Sequence, residues 1–197
     1  MDDFPQDPTK IRARIRRYER ALRREQASYG FINDGGGKRY LLGPLYLLMG
    51  DTAGALQAFT WFAQTFPNDS GDPLHSLCWT LALYRAGDLE PATVKLRQTM
   101  LSNLYLLPRL LGMAQEHIDM WYPSNRTDKA YSESIPDAVL ALWEPAVLHW
   151  AHTVYVSAPM QRVRRRYIAI YHQLKTEPVG PTRSRLVDEA FRLHYPR

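Results

Sequence analysis

The chain has a single cysteine, Cys78, among 197 residues. An intramolecular disulfide framework, a Cys-x-x-Cys redox pair and a pair of thiolates for zinc are therefore excluded. Its neighbours Leu77 and Trp79 mark Cys78 as a packing residue. Long hydrophobic runs are also lacking. The longest candidate, Leu41 to Met49, is interrupted by Gly43 and Pro44, and a membrane-spanning helix needs roughly 18 to 20 apolar residues. No transmembrane segment is expected. The first residues include Asp2, Asp3, Pro5 and Pro8 and then turn basic. They do not form the apolar stretch of a secretory signal, and a cytoplasmic protein is expected. No strand is predicted anywhere. Acidic residues are scarce early in the chain: between Lys10 and Arg24, eight basic residues face the single acid Glu19.

What is present is ordinary globular composition, with 45% hydrophobic and 23% charged residues, which argues against wholesale disorder. The length suits one domain, spanning 1–197. Ile11, Ile15, Tyr18 and Leu22 recur at spacings of four, three and four, one face of a helix over 8–29 with arginines around the rest. Thr9 or Asp7 can cap its start, and Gly30 fits its end. Asn33-Asp34-Gly35-Gly36-Gly37 then reads as a flexible connection.

An internal repeat follows. Leu45-Tyr46-Leu47-Leu48-Met49-Gly50-Asp51 is echoed by Thr80-Leu81-Ala82-Leu83-Tyr84-Arg85-Ala86-Gly87-Asp88, with alanine five positions after each glycine, at Ala55 and Ala92. The physical reading is helix, Gly-Asp turn, helix, twice over, with second helices at 52–65 and 89–102. The glycine ends the first helix in the left-handed conformation, and the aspartate helps start the second. An isolated pair cannot bury its whole apolar face, so stacking is expected.

Leu42-Gly43-x-x-Tyr46, Ala55-x-x-x-Phe59 and Pro67 fall at the intervals of the tetratricopeptide repeat, and residues 36–69 resemble one such repeat. Arg39 stands where that family has a tryptophan. Residues 73–106 match less well, with Trp79, Thr80 and Leu83 in place of Leu, Gly and Tyr, but with Ala92 and Leu96 in register. Pro44 is anomalous, because inside a helix it removes a hydrogen bond; the first helix is expected to start late or to kink there. The resemblance implies an all-α, helical-hairpin stack with flanking N- and C-terminal helices. Leu106 to Met113 can continue as a third first-type helix. The 107–136 segment is irregular, with a long loop over 121–136 and no role assignable to 114–136. Helices are predicted at 137–153, 159–175 and 182–194 within a C-terminal region ending at 195.

The resemblance also implies a groove lined by the first helix of each pair, which here offers Tyr40, Leu47, Leu77, Leu81, Tyr84 and Arg85. Each of these can equally pack against neighbouring helices. The basic, asparagine-containing clamp that some family members use for a terminal carboxylate is not reproduced. Arg12, Arg16 and Arg23, with the cluster Arg162, Arg164, Arg165 and Arg166, form basic patches suited to anionic surfaces.

Signs of chemistry are incomplete. Gly35-Gly36-Gly37-Lys38 has Ile32 at the first glycine position of a phosphate loop and Arg39 at its hydroxyl position. His149 and His152, with Glu144 five residues earlier, can share a helix face but do not complete a metal sphere. His75 can reach Cys78, yet no orienting group accompanies them, and His117 stands alone. The expectation is a non-enzymatic adaptor that binds a peptide or helix of an unidentified protein, with no cofactor, no metal, no membrane and no small-molecule substrate. The alternative is a nucleic-acid-associated helical protein that uses its arginine clusters.

Overall fold

Turn chemistry decides where the helices begin and end. In the computed structural model, which describes residues 4–195, α1 (Pro8–Tyr29) starts at Asp7, whose Oδ1 accepts from the amides of Thr9 at 2.7 Å and Lys10 at 3.2 Å. It ends at Gly30, which has φ 74°. Positions 1–3 and 196–197 of the expected 1–197 domain lie outside the described residues. Next come α2 (Lys38–Leu48) and α3 (Thr52–Thr65), then α4 (Pro73–Arg85) and α5 (Leu89–Ser102). The two Gly-Asp turns share one hydrogen-bond pattern. Gly50 donates to Leu47 O and Asp51 to Tyr46 O; Gly87 donates to Tyr84 O and Asp88 to Leu83 O. Both glycines have positive φ, 74° and 85°, the left-handed backbone that favours glycine.

The second half holds two short helices, α6 (Leu106–Leu110) and α7 (Lys129–Glu133), and then α8 (Asp137–Leu140), α9 (Pro145–Val156), α10 (Ala158–Gln173) and α11 (Pro181–His194). The described residues are all-α, without a strand. The helix expected over 137–153 is broken between Leu140 and Pro145. A proline cannot donate to the preceding turn and biases the residue before it away from helix, so α9 begins afresh at Pro145. The helix expected over 106–113 stops at Leu110, and Gly112 turns the chain with φ 65°.

Described residues up to Ala92, with Ile135–Glu144, form one compact unit; Thr93–Ser134 and the described residues from Pro145 onward form the other. In the first unit α1, α3 and α4 all pack on α2, and α3 also packs on α4. Gly43 is a tight point. A Cβ there would stand 2.2 Å from Phe59 Cε1, so α2 approaches α3 through a glycine. Phe59 cannot easily retreat, because it stacks on Trp79 at 5.3 Å and meets His75 edge-on at 4.9 Å. Burying such a ring contributes roughly 1.5–3 kcal/mol.

Pro44 lies inside α2 after all, and α2 begins at Lys38. Having no N–H, Pro44 leaves the Tyr40 carbonyl without its usual partner four residues on. His75 Nδ1, 3.1 Å from Tyr40 O, takes that place. A carbonyl only accepts, so this nitrogen carries the proton.

In the second unit, residues 111–128 contain no helix but are tied to the rest of that unit. Asn103 Nδ2 donates to the carbonyls of Arg126 and Asp128. The Tyr105 hydroxyl accepts from the Ile118 amide at 2.8 Å and meets the Tyr122 hydroxyl at 2.5 Å. The Trp121 amide donates to Tyr171 O.

Candidate functional site

A cleft of about 690 Å³ opens in the first unit, between α1 and α3 and above α2. From α1 come Glu19, Leu22, Arg23 and Gln26. The floor is Leu42 and Tyr46 of α2, and the far wall is Gly54, Gln57, Ala58, Trp61 and Thr65 of α3. Both wall sets recur at intervals of three and four, the spacing of a single helix face. Gly54 keeps the cleft's Tyr46 end clear: a Cβ there would meet Tyr46 Cδ1 at 2.6 Å and Asp51 Oδ2 at 2.5 Å. At the floor the Tyr46 hydroxyl donates to Glu19 Oε1 at 2.6 Å, and Arg23 pairs with the other carboxylate oxygen at 3.1 Å. Burial and the neighbouring Glu19 push the Tyr46 phenol up to about 12.

This lining includes no histidine, cysteine, serine or lysine, and its one carboxylate is engaged by Tyr46 and Arg23. A phenol held protonated by a carboxylate is a poor base and a poor nucleophile at neutral pH. What the cleft offers is a mixed lining in which Ala58 and Trp61 stand partly open, Leu22 and Leu42 are buried beneath, and polar side chains make up the rest.

The expected groove residues lie elsewhere. Leu47, Leu77 and Leu81 are 0% exposed and belong to the core, so they form no open wall. Tyr40 is half-buried in a polar knot. Its hydroxyl donates to Asp69 Oδ2 at 2.7 Å, and Arg39 bonds Asp69, Asp34 and the Tyr40 oxygen, with its guanidinium over the rings of Tyr40 and Phe66. Arg39 thus fills a tryptophan's place with a cation that stacks and forks at once. Although burial works the other way, the Gly71 amide, the Tyr40 hydroxyl and Arg39 hold the Asp69 carboxyl below its usual range. Arg85 donates to Leu142 O at 2.8 Å and pairs with Glu144 at 3.1 Å. Tyr84 is half-buried.

The basic residues divide between the units. Arg12, Arg16 and Arg23 are exposed on α1 and share a stripe with Glu19 and Gln26, at spacings of four, three, four and three. In the second unit Arg162 and Arg165 are exposed, Arg164 donates to Gln115 Oε1, and Arg166 forks onto both oxygens of Glu189 at 2.6 Å.

The glycine-rich segment is anchored where a free-running linker is expected. Asp34 is 2% exposed, and its carboxylate accepts from the amides of Lys38 at 3.0 Å and Arg39 at 2.8 Å. The start of α2, where a phosphate would have to sit, therefore already holds the protein's own anion. Cys78 is fully buried, and burial pushes its thiol up, away from the thiolate that chemistry needs. His149 and His152 are exposed, and no three metal-ligating side chains come together among the described residues. No helix among them is long and apolar enough to cross a membrane.

Leu22 and Tyr46 were visible in the sequence only as a core position and a repeat position, while Trp61, Gln57 and Ala58 carried no signal of their own. The separation of α1 from α3 is tertiary, and only the paired i, i+3, i+4 sets on two helices could have hinted at it. No family model matches the chain, and neither a curated protein nor a solved structure is significantly similar to it, so the cleft's own residues must say what it binds.

Proposed function

We propose that the protein is a non-enzymatic, cytoplasmic adaptor built on tetratricopeptide-like helix pairs, and that it binds a peptide or helix of a partner protein in the cleft between α1 and α3. The observation that carries this reading is the cleft itself: Ala58 and Trp61 stand partly open above buried Leu22 and Leu42, and the one carboxylate of the lining is already engaged by Tyr46 and Arg23. Small-molecule sites fix their ligands with converging polar groups; here the Tyr46–Glu19–Arg23 chain is closed on itself. A partner's side chains are the natural filling.

The exposed stripe of Arg12, Arg16 and Arg23 supports a second reading, nucleic-acid association. Affinity capture from the source cell, with and without nuclease, separates the two. The adaptor reading expects a protein retained after nuclease and lost with the cleft-filling variant Ala58→Trp. Retention of material that nuclease removes, indifferent to that variant, would favour the second reading.

A further inference from the structure

We infer that the occupant of the cleft is an acidic amphipathic helix of a partner protein, an inference that rests on the cleft being the docking site. Charge is the first argument. The α3 sequence, Thr52–Thr65, contains no charged residue, so that wall is electrically neutral. The α1 wall is cationic: Arg12, Arg16 and Arg23 lie exposed on the stripe that continues the cleft's own Glu19 and Gln26. Glu19, the single acid on the cleft lining, is neutralised by Arg23 at 3.1 Å and hydrogen-bonded by Tyr46. An acidic segment meets two exposed guanidinium groups, Arg12 and Arg16, along one edge, beside an Arg23 already paired with Glu19. A basic segment meets Arg12 and Arg16 as like charges, with Asp51 beside Gly54 as the exposed carboxylate at the Tyr46 end, and like charges held together cost affinity.

Shape is the second argument. Gly54, Gln57, Ala58, Trp61 and Thr65 on one side, and Glu19, Leu22, Arg23 and Gln26 on the other, form two helical seams over one floor. A third helix laid between them packs its ridge into that groove, and small Gly54 and Ala58 allow it to come close. The α3 seam runs about 16 Å, three turns of helix. Ile32 lines the cleft, and next to it in the chain Phe31 stands 62% exposed, 6.3 Å from the 70% exposed Tyr29. This aromatic pair adds apolar surface for a longer partner. A nucleic-acid backbone could engage the arginines but would leave Ala58 and Trp61 of the α3 seam bare.

The test is selection of displayed random peptides of about 16 residues, long enough for four turns, on the full chain, with Ala58→Trp as counter-target. Selected peptides are then measured against Gln57→Glu and against the triple variant R12Q/R16Q/R23Q. Gln57 is exposed, so its substitution leaves the fold alone even if Ala58→Trp perturbs it. The expected result is enrichment of net-acidic sequences with apolar residues at helical spacing, which become helical on binding. Their affinity should fall about tenfold or more in the triple variant, mostly through slower association at low salt, and fall with Gln57→Glu. Enrichment of neutral or basic peptides that Ala58→Trp excludes would overturn the acidic inference and keep the docking reading. No peptide distinguishing the chain from Ala58→Trp and Gln57→Glu would end both. A DNA duplex bound more tightly than any peptide, and equally by Ala58→Trp, would overturn the inference in favour of nucleic acid.

Discussion

The two Gly-Asp turns bend the chain in the same way, yet the side chains that flank them differ. After Gly50-Asp51, α3 folds back onto α2 inside one unit; after Gly87-Asp88 the chain passes from the first unit to the second within α5, between Ala92 and Thr93. The difference lies in what the flanking helices present. With the repeat step of 37 residues, Thr80 takes the place of Gly43, Leu96 that of Phe59 and Ser76 that of Arg39. The first pair has a glycine that admits a ring and a cation that ties Asp34 and Asp69 together. The second has neither.

Removing the cation should break the first pair most severely. Arg39→Ala leaves the fully buried Asp34 carboxylate and the partly buried Asp69 short of a partner, and the expected loss is about 3 kcal/mol, read by denaturant unfolding of the whole chain. A loss under about 0.5 kcal/mol, the size of an exposed ion pair, would show that the knot is ornamental. Gly43→Ala comes next. The added methyl meets a ring held by Trp79 and His75, and the cost should be about 2.5 kcal/mol. Phe59→Leu, the residue of the second repeat, should relieve part of it, so the double variant should be less damaged than the sum of the singles. Strict additivity would contradict the close approach.

A third expectation concerns pH. In the second unit burial, aided by the charges of Lys95 and Arg97, pushes His194 down to about 4, although a backbone contact with Gln98 works the other way; burial likewise pushes Lys95 to about 8. The folded histidine thus has a lower pKa than the unfolded one, and the unfolded chain takes up the proton first. Stability fully present above about pH 6.5 is lost as the pH falls toward 4, by about 2 kcal/mol after allowance for partial exposure. The thermal midpoint of His194→Gln should fall less than that of the native chain between pH 7 and 4.5; parallel falls would contradict the assignment. Smallest of all, Thr80→Ala should cost about 1 kcal/mol, the price of one internal hydrogen bond to Ser76 O and a small void. Position 80 thus tolerates the alanine that position 43 does not.

Much of the helical plan was legible, because local signals set it. Asp7 and Gly30 bound α1, Gly50-Asp51 and Gly87-Asp88 start the second helices, and 8–29, 52–65 and 89–102 were readable from them. Pro145 was equally visible, but the periodicity over 137–153 masked the break it imposes. The fate of apolar residues was harder to read. Residues from Pro73 to Cys78, and again from Thr80 to Ala82, are buried on all sides of α4, so no pattern separates a groove wall from a core position, and Leu77 and Leu81 fall in the core. Asp34 looked like linker because its role depends on Lys38, Arg39 and Glu25 meeting it in space. The cleft depends on how far apart α1 and α3 stand on α2, which no residue encodes alone.

The most direct test of the account places a photo-crosslinking amino acid at exposed position 57, in the cleft, and separately at exposed position 162, in the second unit, in cells of the source. The account predicts one discrete protein adduct from position 57, none from 162, and loss of the first when Ala58 is also replaced by Trp. Adducts from 162 alone, or an adduct from 57 that survives Ala58→Trp, would contradict it.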